Sequence, residues 1–250
     1  AYEIYQCDWS SDVCSSDLAA VPILTAPLIG AAVAGMNLLH PLLGGLHSSY
    51  AMVEGFFRAD YDAAHPVIEQ VVASVLLACS AWLVILIARR YVEERHALLL
   101  AALFAFGTSA YSTAGRGLWQ HGPCMLLLLI AFYLLEDPKL VARAGLPLAL
   151  AYTTRPTAFV AVVVFTLYVA RKHRTRFVAF LAWAAPVAIG FLVLNRAMFG
   201  SWLAPYFQPG AQGYGPRDVG AFLEAFAGNM ISPSRGLFIF TPVFALAVWG

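Results

Sequence analysis

Hydrophobic positions in this chain fall in long unbroken runs, not in the alternating pattern of strands or the one-sided stripe of a surface helix. Residues 67–88, 97–110, 125–135 and 177–194 are apolar on every face. Such runs predict helices placed in lipid or inside a fully buried bundle. Residues 19–46 are long enough to span, but Pro22, Pro27, Gly30, Gly35, Pro41 and the Gly44-Gly45 pair interrupt them. Both a span and an interfacial or re-entrant element are open there. Residues 97–113 and 118–135 read as an outward and a returning segment, closed by the turn at 136–143. The pieces 145–154 and 156–170 meet at Arg155-Pro156. Each is shorter than a span, so together they predict a hairpin of half-helices dipping into a bilayer. Residues 195–235 form a long loop rich in aromatic residues, Gly and Pro, and a last apolar run begins at Gly236.

Composition agrees with the pattern. The chain of 250 residues is 61% hydrophobic and 12% charged, with a mean hydropathy of +0.74. A soluble domain is far less apolar. The expected fold is all-α, a polytopic transmembrane helical bundle with about six to eight membrane segments. A net charge of +1 with no basic face predicts no nucleic-acid partner, and the bilayer itself is the first partner expected.

Charge also orients the chain. Nine of the 15 Lys and Arg residues lie in three short loops: Arg89, Arg90 and Arg95; Lys139 and Arg143; Arg171, Lys172, Arg174 and Arg176. Such loops are expected on the cytoplasmic side. The loops 47–66, 111–121 and 195–235, and the Arg155 tip, then fall on the extracytoplasmic side of a multi-pass protein.

The first residues stand apart. Residues 7–18, CDWSSDVCSSDL, resemble the conceptual translation of a sequencing adapter, so 1–18 are expected to be an assembly artefact. Residues 19–250 are then one transmembrane domain. The final run stops short of the roughly 20 residues of a span, so the chain reads as an internal fragment. Cys7 and Cys14 leave with the artefact, and Cys79 and Cys124, in or beside apolar runs, read as inert thiols.

Candidate chemistry gathers in the polar passage YSTAGRGLWQHGPC (111–124), set between two apolar runs. Arg116, Arg155 and Arg235 each carry the planar fork that pairs with phosphate oxygens. His121 can donate to the same phosphate or cap a helix. Trp119, Trp202, Tyr206, Phe207 and Tyr214 can stack on a sugar or form an interfacial aromatic belt. Arginines at span ends commonly snorkel, which is the plainer account of Arg116 and Arg235. Arg155 differs, because a cation between two apolar half-helices is costly without an anionic partner. Asp60, Asp62 and His65 can hold a divalent cation or simply decorate a solvated loop. Nucleotide-binding and zinc-hydrolase motifs are absent from the sequence.

Three segments, GTSAYSTAGRGLWQHGP, LALAYTTRPTAF and GNMISPSRGLFIFTPVF, occur in an order that resembles the bacterial GT-C class of multi-spanning glycosyltransferases. The chain is most similar to family-39-like enzymes related to protein mannosyltransferases, over residues 19–250. The resemblance implies a GT-C-like bundle in the bacterial inner (plasma) membrane. It also implies a polyprenyl-phosphate-linked sugar as donor and transfer on the extracytoplasmic face with inversion. Arg155 matches the arginine of the family's R-P-T turn; Trp119, His121, Gly122 and Pro123 match its W-x-H-G-P element; Ser232 to Gly236 match S-P-S-R-G. The family's catalytic carboxylate lies in the first extracytoplasmic loop, and residues 22–32 resemble the segment after it. The base is therefore expected upstream of Ala19, with Asp60 and Asp62 as weak stand-ins, and this chain alone is expected to be inactive. A transporter or flippase for an anionic or lipid-linked substrate is the alternative, with Arg155 as its midplane site.

Overall fold

The computed structural model describes residues 20–202, 219–233 and 236–242, with side chains from Thr25 onward. Every regular element among them is helical. In chain order these are α1 (Ala20–Leu43), α2 (Ala51–Phe57), α3 (Tyr61–Ala88) and α4 (Glu94–Phe106), then a π-helix (Ala110–Ala114) and α5 (His121–Leu135). A 3-10 turn (Val141–Ala144) leads into α6 (Gly145–Thr154), and a second (Pro156–Ala158) into α7 (Phe159–Lys172). The chain continues through α8 (Arg174–Phe199), α9 (Val219–Ile231) and α10 (Leu237–Phe240). Three of these, α1 from Thr25, α3 and α8, are long and apolar enough to cross a membrane.

Several boundaries differ from the expectation, each for a physical reason. Residues 19–46 hold one continuous helix despite Pro27 and Pro41. Each Pro removes one N–H from the ladder, a loss that an apolar helix packed on neighbours tolerates. Its face Ile29, Ala32, Val33 and Met36 rests on Ala64 and Ile68 of α3, and Met36 is 1% exposed. α3 begins at Tyr61, within the polar stretch, because the Asp60 carboxylate accepts hydrogen bonds from the Asp62 and Ala63 N–H groups at 3.1 and 3.4 Å. The 195–235 region is not all loop: α8 runs on to Phe199, where Gly200 ends it in the left-handed conformation at φ 67°. Residues 219–231 then form α9.

Two short helices meet at Arg155-Pro156 as expected, and the break falls at the residue before Pro156. A residue before Pro is disfavoured in the helical region, and at a helix end with no flanking ladder to hold it the extended conformation wins. Arg155 accordingly sits at φ −153° and ψ 105°, which ends α6 at Thr154 and lets Pro156 open the next turn. The hydroxyls of Thr153 and Thr154 fold back onto the Leu150 and Ala151 carbonyls at 2.9 and 2.8 Å. That satisfies two buried polar groups without a partner helix.

α3 is the mast of the bundle, and α1, α2, α4 and α5 pack along it. The three basic loops lie together at one end. There Arg90 stands 4.4 Å above the Tyr133 ring, the Tyr91 hydroxyl hydrogen-bonds to Glu136, and Leu135, Val141 and Phe177 share one cluster. This geometry makes the cluster of basic loops a common face, as the charge pattern required.

Small residues set the helix spacing in the second half. Gly145 at the start of α6 abuts the Phe180 carbonyl of α8, with Ala184 N only 3.2 Å from where a Cβ would stand. Backbone, not a flexible side chain, fills that space, so the two helices cannot accept a larger residue without separating. Gly145→Leu is expected to destabilise the bundle by roughly 1–3 kcal/mol, read as a lower unfolding midpoint of the detergent-solubilised protein; an unchanged midpoint would show that α6 and α8 are not held this closely.

Candidate functional site at the Arg155 turn

The polar passage is built by a helix that ends early. Gly107 follows α4, and the Thr108 hydroxyl caps both ways, donating to the Phe104 carbonyl at 2.7 Å and accepting from Ala110 N–H at 3.1 Å. The chain then turns through the π-helix and re-enters α5 at His121. This turn lies against the side of α3. The Ser74 hydroxyl donates to the Gly115 carbonyl at 3.4 Å, and Gly115 and Gly122 face Leu77 and Leu76. Ser74 is midway along α3, roughly 20 Å from either end at 1.5 Å per residue. The passage is therefore recessed beside the long helix and does not sit beyond its end.

Within this recess the Arg155 guanidinium hydrogen-bonds to Nδ1 of His121. Arginine has donors only, so Nδ1 accepts and the imidazole takes the tautomer that carries its proton on Nε2. Among the described residues no carboxylate pairs with Arg155. Its charge is thus shared with a neutral ring, leaving guanidinium donors for an anion. Behind the pair, Cys124, Ala151 and Ala158 form a tight apolar cluster that holds α5 against the turn.

The pair stands in a groove of about 910 Å³ between the π-helix, α5 and α7. Ser109, Thr113, His121, Arg155 and Thr157 give its polar lining; Met125, Leu128, Phe132, Val164 and Phe165 give an apolar wall. The wall follows α5 from His121 to Phe132, roughly 16 Å. Phe132 and Phe165 stack at 6.1 Å across its far part. A cation and hydroxyls at one part of a long apolar trough suit an amphipathic anion.

The other expected site residues lie elsewhere. Arg116 is exposed and is not part of the groove lining. Trp119 is half exposed, with its indole folded over Gly117, where a Cβ would meet Nε1 at 2.7 Å. Next to it the Gln120 side-chain oxygen is buried without a hydrogen-bond partner among the described residues. Arg235, Tyr206, Phe207 and Tyr214 lie outside the described residues. Asp60 and Asp62 sit at the start of α3, about 20 Å along the helix from Ser74, and Asp60 is engaged as a helix cap. His65 pairs with Glu69 at 3.2 Å. No group of three His, Cys, Asp or Glu able to hold a metal occurs among the described residues.

Residues that sequence reasoning passed over include Ser109, Thr113 and Thr157. Ser109 and Thr113 are four apart in the GTSAYST segment, a spacing that places both on one side of a helical turn. Together the fold and the recess define a helical protein of membrane-type apolarity with a cation at the polar part of a lipid-sized groove. Comparison with protein-family models, with curated proteins and with solved structures returns no match.

Glu54, in the first turn of α2, is the anchor of a separate polar knot that ties the helix to the preceding loop. Its carboxylate accepts from Ser48 N–H at 2.8 Å and Arg58 Nε at 2.6 Å, with His47 Nδ1 at 3.3 Å. The Ser48 amide and then Arg58 hold its carboxyl down to about 2. A depressed carboxyl stabilises the fold above its unfolded value and loses that contribution as pH falls towards the folded value. Amide exchange at Ser48 is accordingly expected to accelerate as pH drops from about 4.5 towards 2, beyond the intrinsic pH effect on exchange. Glu54→Ala, which removes the acceptor, should show the fast exchange already at neutral pH; equal protection in both proteins would refute the tether.

Proposed function

We propose that this chain is part of an integral-membrane glycosyltransferase of the GT-C type, with about six to eight membrane segments in a bacterial plasma membrane. It moves a sugar from a polyprenyl-phosphate donor to an acceptor on the extracytoplasmic face. The observation that carries the reading is the meeting of Arg155 and His121 at the polar lining of a groove whose remaining wall is apolar. Polyprenyl phosphate has the matching form, an anionic head on a long apolar chain. The guanidinium binds the phosphate oxygens, and the neutral His121 fixes the guanidinium plane. Arg116 and Arg235 remain further candidates to pair with the phosphate, and Trp119 to stack on the sugar.

In the reaction the acceptor oxygen bonds to the anomeric carbon while the bond from that carbon to the phosphate oxygen breaks. The electron pair leaves with the polyprenyl phosphate, and Arg155 stabilises the charge that develops there. The acceptor proton passes to a carboxylate base. No Asp or Glu lines the groove among the described residues, and Asp60 and Asp62 are remote from it. The base that the family resemblance implies upstream of Ala19 is part of the proposal, and a divalent cation at the phosphate is compatible with it.

One observation favours a second reading. The recess lies against the middle of α3, the depth at which transporters hold their substrates between broken helices. The two readings separate in one assay with the full-length parent protein in membranes. Arg155→Met is expected to reduce sugar transfer from a polyprenyl-phosphate sugar by about 100-fold or more, with Arg155→Lys intermediate and protein levels unchanged. Wild-type turnover in Arg155→Met would remove the phosphate clamp, and substrate movement across the membrane without sugar transfer would establish the transporter.

A further inference from the structure

A second cavity, of about 320 Å³, lies between α6, α7 and α8. It is separate from the groove. α7 divides the two, giving Val160, Ala161 and Val164 to the groove and Val162 and Thr166 to this cavity. Its wall is apolar through Leu148, Phe180, Leu181 and Leu192. Its polar groups are Tyr152, Thr153, Thr166 and Asn195, with Trp202 56% exposed beside them. No charged side chain occurs among the described residues that line it.

Asn195 is the unexplained group. It is 2% exposed, it lines the cavity, and no hydrogen bond holds its side-chain amide among the described residues. The amide opens on the cavity, where it is free to donate to and accept from an occupant. Tyr152, with its ring edge-on to Phe191 at 6.0 Å, borders the same space. The Thr153 hydroxyl is already used by the Leu150 carbonyl, and of the remaining lining groups Asn195 alone can both donate through an amide and accept through a carbonyl while being 2% exposed.

We propose that this cavity is a second lipid site that takes an uncharged amphipath, its hydroxyl-bearing head at Asn195 and its chain between α6, α7 and α8. Among the described lining residues no charge favours a phosphate head here, in contrast to the Arg155 groove. Tyr152 and Thr153 lie within one turn of Arg155 on α6, so the polar parts of both cavities converge on the same break from opposite sides. Under the glycosyl-transfer reading, on which this role rests, the second occupant is the acceptor and is a hydroxylated lipid. The binding itself does not depend on that reading.

The test uses the full-length protein in detergent, monoolein bearing a photoreactive diazirine in its chain, and unlabelled polyprenyl phosphate as competitor. Labelling is expected on peptides of α6 and α8, and excess polyprenyl phosphate should not displace it. Asn195→Leu should lower labelling about fivefold, and Ala188→Trp, which fills the cavity, should abolish it; Ala184→Leu replaces the latter if size exclusion shows misfolding. Labelling that is unchanged in these variants, spread over the lipid-facing surface, or displaced by polyprenyl phosphate overturns the proposal. Polyprenyl phosphate binding that is lost in Arg155→Met alone leaves the two sites distinct. If monoolein labels the cavity and polyprenyl phosphate does not bind, the second site stands and the donor reading falls.

Discussion

The constraint on which this structure turns is the placing of one permanent cation inside an apolar bundle. Arg155 cannot lose its proton, and burying a lone charge is costly. The fold answers with a neutral acceptor, His121, and with a groove open enough to admit an anion. Pro156 favours the placement, because it biases Arg155 towards the extended conformation in which the helix ends at that residue. Guanidinium, imidazole and groove are thus consequences of a single Arg-Pro step between two half-helices.

Around that step the bundle is held by close contacts between small residues. Ala131, Ala144, Gly145, Ala151 and Ala158 are all buried where α5, α6, α8 and the turn between α6 and α7 approach one another, and Gly122 is buried against α3. In a chain whose exterior is as apolar as its interior, the hydrophobic effect gives little direction to packing in lipid. Van der Waals fit and backbone satisfaction set the geometry instead. α7 shows what happens without such contacts. Val169 is buried, but Phe159, Val160, Val163, Val164 and Leu167 remain exposed, and a cavity opens on each side of the helix.

The half-helix hairpin was legible because Pro and length alone define it. The common end of the three basic loops was legible because charge cannot enter lipid. The first helix was harder to read, since a proline count overstated the cost of Pro27 and Pro41 in a helix supported by α3. Asp60 and Asp62 looked like chemistry and one proved to be a cap, a role that a polar residue before a long apolar run takes readily. α9 was missed because glycine and aromatic residues around it read as loop. Of the candidate site, Arg155 and His121 were each singled out, but not as a pair.

The sequence by itself determined that the chain is helical, apolar beyond the needs of a soluble core, broken at Arg155 and polarised in charge. These follow from local rules: runs of apolar residues, proline sterics and the solvation of charge act over a few residues at a time. Tertiary structure alone decided that residues 34 apart share one hydrogen bond and that the polar passage is recessed against the middle of α3. It also decided that Asn195 faces a cavity. Those facts depend on how far each helix extends before it meets its neighbour, and that distance is set by the small residues at the crossings, not by any pattern along the chain.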